Sequence, residues 1–490
     1  MKNNIARYII GVILTTFIVS CSDDDTFSVS YENCLTFETD TLTLDTCFST
    51  IPTPHKKLMI YNKSNDGIRI SDIRLENLNQ TGYRVNVNGI SLNDLNGFCV
   101  KDVEISKGDS LRIFVELTSK INNASEPVEV SDNLIFRLES GRIQKVNLNA
   151  WSWDATILDN YIIGGEGTTV LQNENGKPIV IYGNLFVDSL ATLEVLPGTT
   201  LYFHSNAGID VKGTLRLAGE KDNEITLRCD RFDWMVSNLS YDNNPGQWNG
   251  IRFYSKSYNN EISYADIHGG TNAIVCDSAF SADTPKLHIK NTTIHNMRGD
   301  GISAVNGNIT IENTQISNTL GDCVSVLGGN IDINNCTIVQ YYPFSMFRKN
   351  AMTFANGNNG ISYPLTMNVR NTIIKGYADD VVMWSHGGTE NSLDVTFSHC
   401  VVRTTPGEDY EYMFKDCYIE DNPEDTLTSG RNSFVLFDTN NFFYDFTPKD
   451  NTTAIGNADV TTSLPIDRKG NPRKTDKPDI GCYEVIKEEQ

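Results

Sequence analysis

From Asn33 to Trp153 apolar positions alternate with polar ones at period two, and Asn, Gly and Asp interrupt the alternation at short intervals. Leu111-x-Ile113-x-Val115-x-Leu117 is the cleanest run. Leu134-x-Phe136-x-Leu138, Val146-x-Leu148-x-Ala150, Val85-x-Val87 and Ile68-x-Ile70 repeat it, with Lys107-Gly108-Asp109 and Glu139-Ser140-Gly141 as turns. Successive side chains of a strand point to opposite faces, so the pattern predicts half-buried antiparallel strands. About six or seven of them predict an immunoglobulin-like β-sandwich over residues 33–155, in architecture only, because no Cys…Trp…Cys spacing marks a true immunoglobulin domain. Trp151 and Trp153 are expected to end its last strand.

After Ala155 glycine and asparagine become frequent and near-copies of one phrase recur: Leu287-His-Ile-Lys-Asn291-Thr-Thr-Ile294, Ile309-Thr-Ile-Glu-Asn313-Thr-Gln-Ile316 and Ile331-Asp-Ile-Asn-Asn335-Cys-Thr-Ile338. Their asparagines stand 22 residues apart. Met367-Asn-Val-Arg-Asn371-Thr-Ile-Ile374 and Val395-Thr-Phe-Ser-His399-Cys-Val-Val402 follow after insertions, and Ile262-Ser-Tyr264-Ala-Asp-Ile267 precedes the series. Short strands at this period describe the coils of a right-handed parallel β-helix. Leucine-rich repeats of similar length need a different phrase and a helical segment. Asn291, Asn313, Asn335 and Asn371 are expected to line one turn, their amides bonding from coil to coil. The fold class is therefore all-β, with the sandwich followed by a pectin-lyase-like solenoid over residues 156–485.

Two resemblances extend this reading. Lys2 and Arg7 precede an apolar run, Tyr8 to Val19, that ends in Ile18-Val19-Ser20-Cys21 and is followed by Ser22-Asp23-Asp24-Asp25. The run is too short to span a bilayer in a mature protein, and the whole segment resembles a bacterial lipoprotein signal. That resemblance implies removal of residues 1–20, lipidation of Cys21, an acidic tether over 21–32 and a membrane partner reached through the lipid. Pro178-Ile-Val-Ile-Tyr-Gly-Asn-Leu185, Ala191-Thr-Leu-Glu-Val-Leu-Pro-Gly-Thr199, Gly208-Ile-Asp-Val-Lys-Gly-Thr-Leu215 and the ending Asp479-Ile-Gly-Cys-Tyr-Glu484 resemble right-handed β-helix lipoproteins of Bacteroidetes. This implies surface exposure at the outer membrane and leaves activity open, since the fold hosts lyases, hydrolases, adhesins and binders.

Forty Lys+Arg against 62 Asp+Glu leave a net charge of −22, which repels nucleic acid and argues against any phosphate-tracking role. Of the 11 cysteines none forms a C-x-x-C pair, which removes zinc-ribbon and thioredoxin readings. Cys34 and Cys47 flank one strand-like segment and are the pair to test for a bridge.

No constellation announces a reaction. Gly321-Asp322-Cys323 looks like one aspartate motif of the polygalacturonases, whose second aspartate and Gly-His-Gly are missing, and Asp300 repeats it one period earlier as a turn residue. Asp380 and His386, with His399 on a neighbouring coil, form the other acid/base candidate. The Asp300 and Asp322 column is a candidate source of oxygens for Ca²⁺, with Arg298, Arg348, Lys349 and Arg370 as candidate bases for a lyase. Tyr341, Tyr342 and Phe344, near Met346 and Phe347, form an aromatic insertion on which sugar rings could stack. Trp234 and Trp248 are candidates of the same kind. The leading expectation is binding of polysaccharide, or of a host or matrix ligand, along the solenoid. A polysaccharide lyase or glycoside hydrolase on the loop face is the alternative, and a structural or adhesive spacer the third.

Overall fold

The alternating runs of the N-terminal part fold into two five-stranded sheets. The computed structural model describes residues 26–387, 391–420 and 429–486, and divides the chain into two units, 1–153 and 154–490. The expected signal segment and Cys21 lie outside the described residues.

In the first unit, one sheet orders Leu35–Phe37, Lys56–Asn62, Ser110–Leu117, Tyr83–Val87 and Ile90–Ser91. The other orders Thr41–Phe48, Ile143–Trp153, Val128–Leu138, Ile68–Leu75 and Cys99–Ile105. All pairs are antiparallel except Thr41–Phe48, which runs parallel to Ile143–Trp153. Leu58, Ile60 and Ile113 of the first sheet share one buried core with Ile70, Phe136 and Leu148 of the second, so the sheets form a sandwich. Each such side chain contributes about 1.5–3 kcal/mol by leaving water. Trp153 stacks on Phe48 while Trp151 stays exposed. Residues 26–28 lie along the sandwich: Gly67 donates to Thr26 O and accepts from Ser28 N, and its missing side chain makes room for the Phe27 ring. That part of the expected tether is therefore docked. Cys34, just before the strand Leu35–Phe37, and Cys47, inside the core on the strand Thr41–Phe48 of the other sheet, are free thiols, so the pair singled out for a bridge is not joined.

The second unit is a parallel β-helix. Among its described residues eleven strands, from Thr156–Asp159 to Tyr418–Ile419, stack in register as one parallel sheet, called the flank sheet below. The other faces merge where the long strands Ile302–Glu312 and Val324–Asn334 pair and turn a corner. Ile267, Ile294, Ile316, Ile338, Ile374 and Val402 form one inward stack, all buried. The β-branched residues suit a pleated, crowded interior.

The repeated phrase is a turn device. Tyr264, Asn291, Asn313, Asn335, Asn371 and His399 all adopt left-handed φ, between 42° and 51°, a region asparagine tolerates best among residues with a side chain. Asp416, φ 51°, continues the column. After Tyr264 comes Ala265, but after each of the others the next residue is Thr or Cys and returns its proton to the carbonyl two residues back: Thr292 to Lys290, Thr314 to Glu312, Cys336 to Asn334, Thr372 to Arg370, Cys400 to Ser398 and Cys417 to Lys415. Three cysteines thus stand in for threonine at this turn, Cys336 and Cys400 buried and Cys417 partly so.

The asparagine amides do not form a simple ladder. The chain after residue 429 leaves the coils, makes the hairpin Phe434–Asp438/Phe443–Pro448 and runs back along the helix, taking up these groups. Asn313 Nδ2 donates to Ile466 O, Asn335 Oδ1 accepts from Leu464 N, and Asn371 Oδ1 accepts from Asp459 N. One further bond, Asn371 Nδ2 to Asn334 Oδ1, stays within the coils. The ending Asp479-Ile-Gly-Cys-Tyr-Glu484 is the clasp. Glu484 pairs with Arg473 and Lys474 and accepts from Asp479 N. Tyr483 donates to Gln315, and Gly481 N donates to Asn371 O. Gly481 has φ +106, and a β-carbon there would press on Ile373.

Candidate functional site

Where the returning segment does not cover it, the flank sheet carries polar side chains facing outward. The strands Ala265–His268 and Thr293–Met297 are neighbours with His268 opposite His295, so the inter-strand spacing itself stacks the imidazoles, at 4.8 Å between centroids. His268 Nδ1 lies 2.8 Å from Asp266 Oδ1 and its Nε2 lies 3.0 Å from Asp242 Oδ1. His295 Nε2 reaches the same Asp266 oxygen at 3.2 Å. Asp242, from the insertion between Cys229 and Ile251, is held by Arg228 Nε at 2.9 Å. Trp248, stacked on Phe203 in the core, donates to His268 O at 2.8 Å and fixes that strand from inside.

Burial opposes the charged forms here and is outweighed. His268 is pushed up to about 10 because Asp266 and Asp242 face its two nitrogens. Asp266 lies well below the ordinary carboxylate range because both imidazoles face it, and Asp242 lies below that range through His268 and Arg228. The cluster is a charge-balanced network at the surface of the coils.

His295 also lines a groove of about 440 Å³ between the coils and the C-terminal hairpin, a size in the range of small-ligand sites. Asn296, Gln315, Ser317 and Asn318 come from the coils; Phe443, Tyr444, Asp445 and Lys469 come from the returning segment. Asn296 Oδ1, Asn318 Oδ1 and Tyr444 Oη are buried and have no hydrogen-bond partner. Leaving such atoms unpaired costs about 1–3 kcal/mol each. Phe443 is 61% exposed. Its neighbour Phe442 has φ 59° at the hairpin tip, where it stacks on Phe344. Asn238 Nδ2 bonds Asn440 O, tying the insertion that carries Asp242 to the same tip.

The residues singled out from sequence take other places. Asp322 Oδ1 accepts from Asn350 N and Thr353 Oγ1, Asp300 Oδ1 accepts from Asp322 N, and Asn272 Oδ1 accepts from Asp300 N. That is a turn ladder, and burial pushes the Asp300 carboxyl up. Lys349, 63% exposed, approaches both carboxylates at 3.8–4.0 Å. Arg348 instead lies over the Tyr377 ring and Arg370 pairs with Asp332. Asp380 Oδ1 caps its own turn through Val382 N and also accepts from Thr404 Oγ1. His386 is exposed beyond the strand Val382–Ser385, and His399 sits in the left-handed turn column. An extended strand, at about 3.3 Å per residue, thus separates Asp380 from His386, and this acid/base trio is not assembled.

The aromatic insertion is likewise corrected. Tyr341 and Tyr342 are buried, Tyr341 stacked against Phe446 and edge-on to Phe434, Phe437 and Tyr377 under the hairpin. Phe344 is half-buried, and of this stretch Met346 and Phe347 are exposed. Trp248 is core, whereas Trp234 is exposed.

Sequence reasoning missed the His268–His295 pair although its signal was present. Ile267-His268 and Ile294-His295 end consecutive copies of the repeated phrase, each four residues after the turn position, Tyr264 or Asn291.

No protein-family model and no curated protein matches the chain. Among solved structures it is similar to pectate lyase Pel9A, at 12% identity over 68% of this chain and 88% of that one, with a TM-score of 0.26. A family 123 glycoside hydrolase from Clostridium perfringens aligns at 8% identity and TM-score 0.17, over 24% of this chain and a quarter (25%) of the hydrolase's length. The ASH/PapD-like domain of human CEP192 aligns at 7% identity and TM-score 0.17, over 25% of this chain and 86% of that domain. The assignment of a parallel β-helix rests on the strand pairing itself.

Proposed function

We propose that the β-helix binds a hydroxyl-rich polymer, a polysaccharide, in the groove between the flank sheet and the hairpin. The observation that carries the reading is the set of buried polar atoms without partners, Asn296 Oδ1, Asn318 Oδ1 and Tyr444 Oη, beside the exposed Phe443. Sugar hydroxyls supply the donors those atoms lack, and an aromatic face takes up the apolar face of a pyranose. The test is affinity electrophoresis of the full chain in detergent against neutral and uronate-containing polysaccharides. Retention by one polymer, weakened by Phe443→Ala, supports the reading; migration unaltered by every polymer overturns it.

A second reading, an uronate lyase, has one observation of its own: the exposed Lys349 amine beside the Asp300 and Asp322 carboxylates. Release of unsaturated uronate, abolished by Lys349→Ala, would establish it. We also propose that Cys21 carries lipid and anchors the protein at the outer membrane, facing outward. Radiolabelled palmitate incorporated by the parent chain and not by Cys21→Ala is the expected result.

A further inference from the structure

We propose that Asp266, His268 and His295 form a binding site for a divalent transition-metal ion, Zn²⁺ being the class that fits best. One ligand atom from each of the three residues lies within 4.8 Å of the other two, and Asp266 Oδ1 stands 2.8 Å from His268 Nδ1 and 3.2 Å from His295 Nε2. Tetrahedral zinc with bonds of about 2.0–2.1 Å sets its ligand atoms about 3.3 Å apart, so an ion is admitted by movements of a few tenths of an ångström at these two pairs together with closure of the two imidazole nitrogens to that same spacing.

Three features separate this cluster from a plain ion pair. The ligands are fixed by the fold: His268 and His295 are paired residues on adjacent strands, and the backbone spacing sets their separation. The outer layer has the form metal sites use. His268 donates its other nitrogen's proton to Asp242 at 3.0 Å, and Arg228 anchors Asp242. Such a carboxylate–histidine contact orients the ring and raises its basicity as a ligand. Access is also provided, since His295 forms part of the groove wall, leaving a route for the ion and a side from which water completes the coordination. Two imidazoles and one carboxylate suit zinc, and cobalt as its spectroscopic substitute, whereas calcium and magnesium take all-oxygen sets.

The site is tested by stripping the full chain in detergent with a chelator and titrating Zn²⁺ against a chromophoric competitor, with no polysaccharide present. The expected result is one ion per chain. His295→Ala and Asp266→Asn should abolish uptake, Asp242→Ala should weaken it about 10- to 100-fold, and Ca²⁺ should not compete. Circular dichroism of each variant separates ligand loss from unfolding. The visible spectrum of the Co²⁺-loaded parent, expected to be that of a tetrahedral nitrogen–oxygen site, gives a readout independent of any variant. No uptake by the folded parent, or uptake unchanged in His295→Ala, overturns the proposal and identifies an imidazolium–carboxylate network instead. Zinc uptake without polysaccharide retention leaves the metal site standing and removes the binding function; retention without zinc does the reverse.

Discussion

Two stretches of the flank sheet share one register and differ in what faces them. His268, His295 and Ser317 occupy the same column as Val339 and Lys375 on later coils. In the first stretch the column is polar and borders the groove. In the second, Val339, together with Ile373 and Val401 alongside, is buried in a separate core with Tyr341, Phe434, Phe446, Ile480 and Tyr483. The backbone is equivalent in both. What differs is whether the chain's own C-terminal segment returns to cover it, and even a lysine is accommodated under that cover: Lys375 pairs with Glu420 at 2.5 Å and bonds Ser433 Oγ at 2.9 Å. An outward β-helix face thus becomes a second core or stays an open polar face according to a partner many residues away.

The comparison can be broken most forcefully at its covered end. Glu420→Ala removes the carboxylate paired with the buried Lys375 ammonium, and is expected to destabilise the helix unit by about 3–5 kcal/mol in denaturant unfolding. A loss below 1 kcal/mol would mean that the cover is not a core. Gly481→Ala forces a β-carbon at φ +106 toward Ile373, at an expected cost of about 1–3 kcal/mol. Amide exchange should then accelerate at Val339, Ile373 and Val401 and stay unchanged at His268 and His295. Phe443→Ala acts on the open stretch alone. Polysaccharide retention should weaken by about 0.5–1.5 kcal/mol, roughly two- to tenfold, with the unfolding midpoint unmoved. The smallest effect is expected for His386→Ala, an exposed side chain in neither stretch, which should shift stability by less than about 0.5 kcal/mol and leave retention as it was.

Repetition made the coils legible. Turn residues 22 positions apart at Asn291, Asn313 and Asn335, with β-branched residues between them, are local signals, and the left-handed φ there and at Asn371 realises what asparagine favours. The same alignment held the His268–His295 pair, because residues at one position of consecutive coils become neighbours on adjacent strands. Other assignments failed where burial, and not periodicity, decides. Tyr341 and Tyr342 read as a sugar platform in a loop-like insertion, and the hairpin from residue 434 buries them. Asp322 and Asp380 read as candidate acids from their motifs alone, and the fold adds a turn role that those motifs did not show, a backbone N–H bonded to one oxygen of each.

By itself the sequence determined the element types, the coil period, the inward stack and the turn chemistry, since each depends on side-chain alternation and backbone preference within a few residues. Tertiary structure alone decided which outward face stays open. The contacts that settle it join residues far apart, as Arg468 to Glu224 at 2.7 Å, Arg473 to Asn313 at 2.9 Å and Tyr483 to Gln315 at 2.7 Å. Asp242, arriving from an insertion to meet His268, belongs to the same class. No local pattern encodes such pairings, because their free energy comes from burying groups that meet only after the chain has turned back on itself.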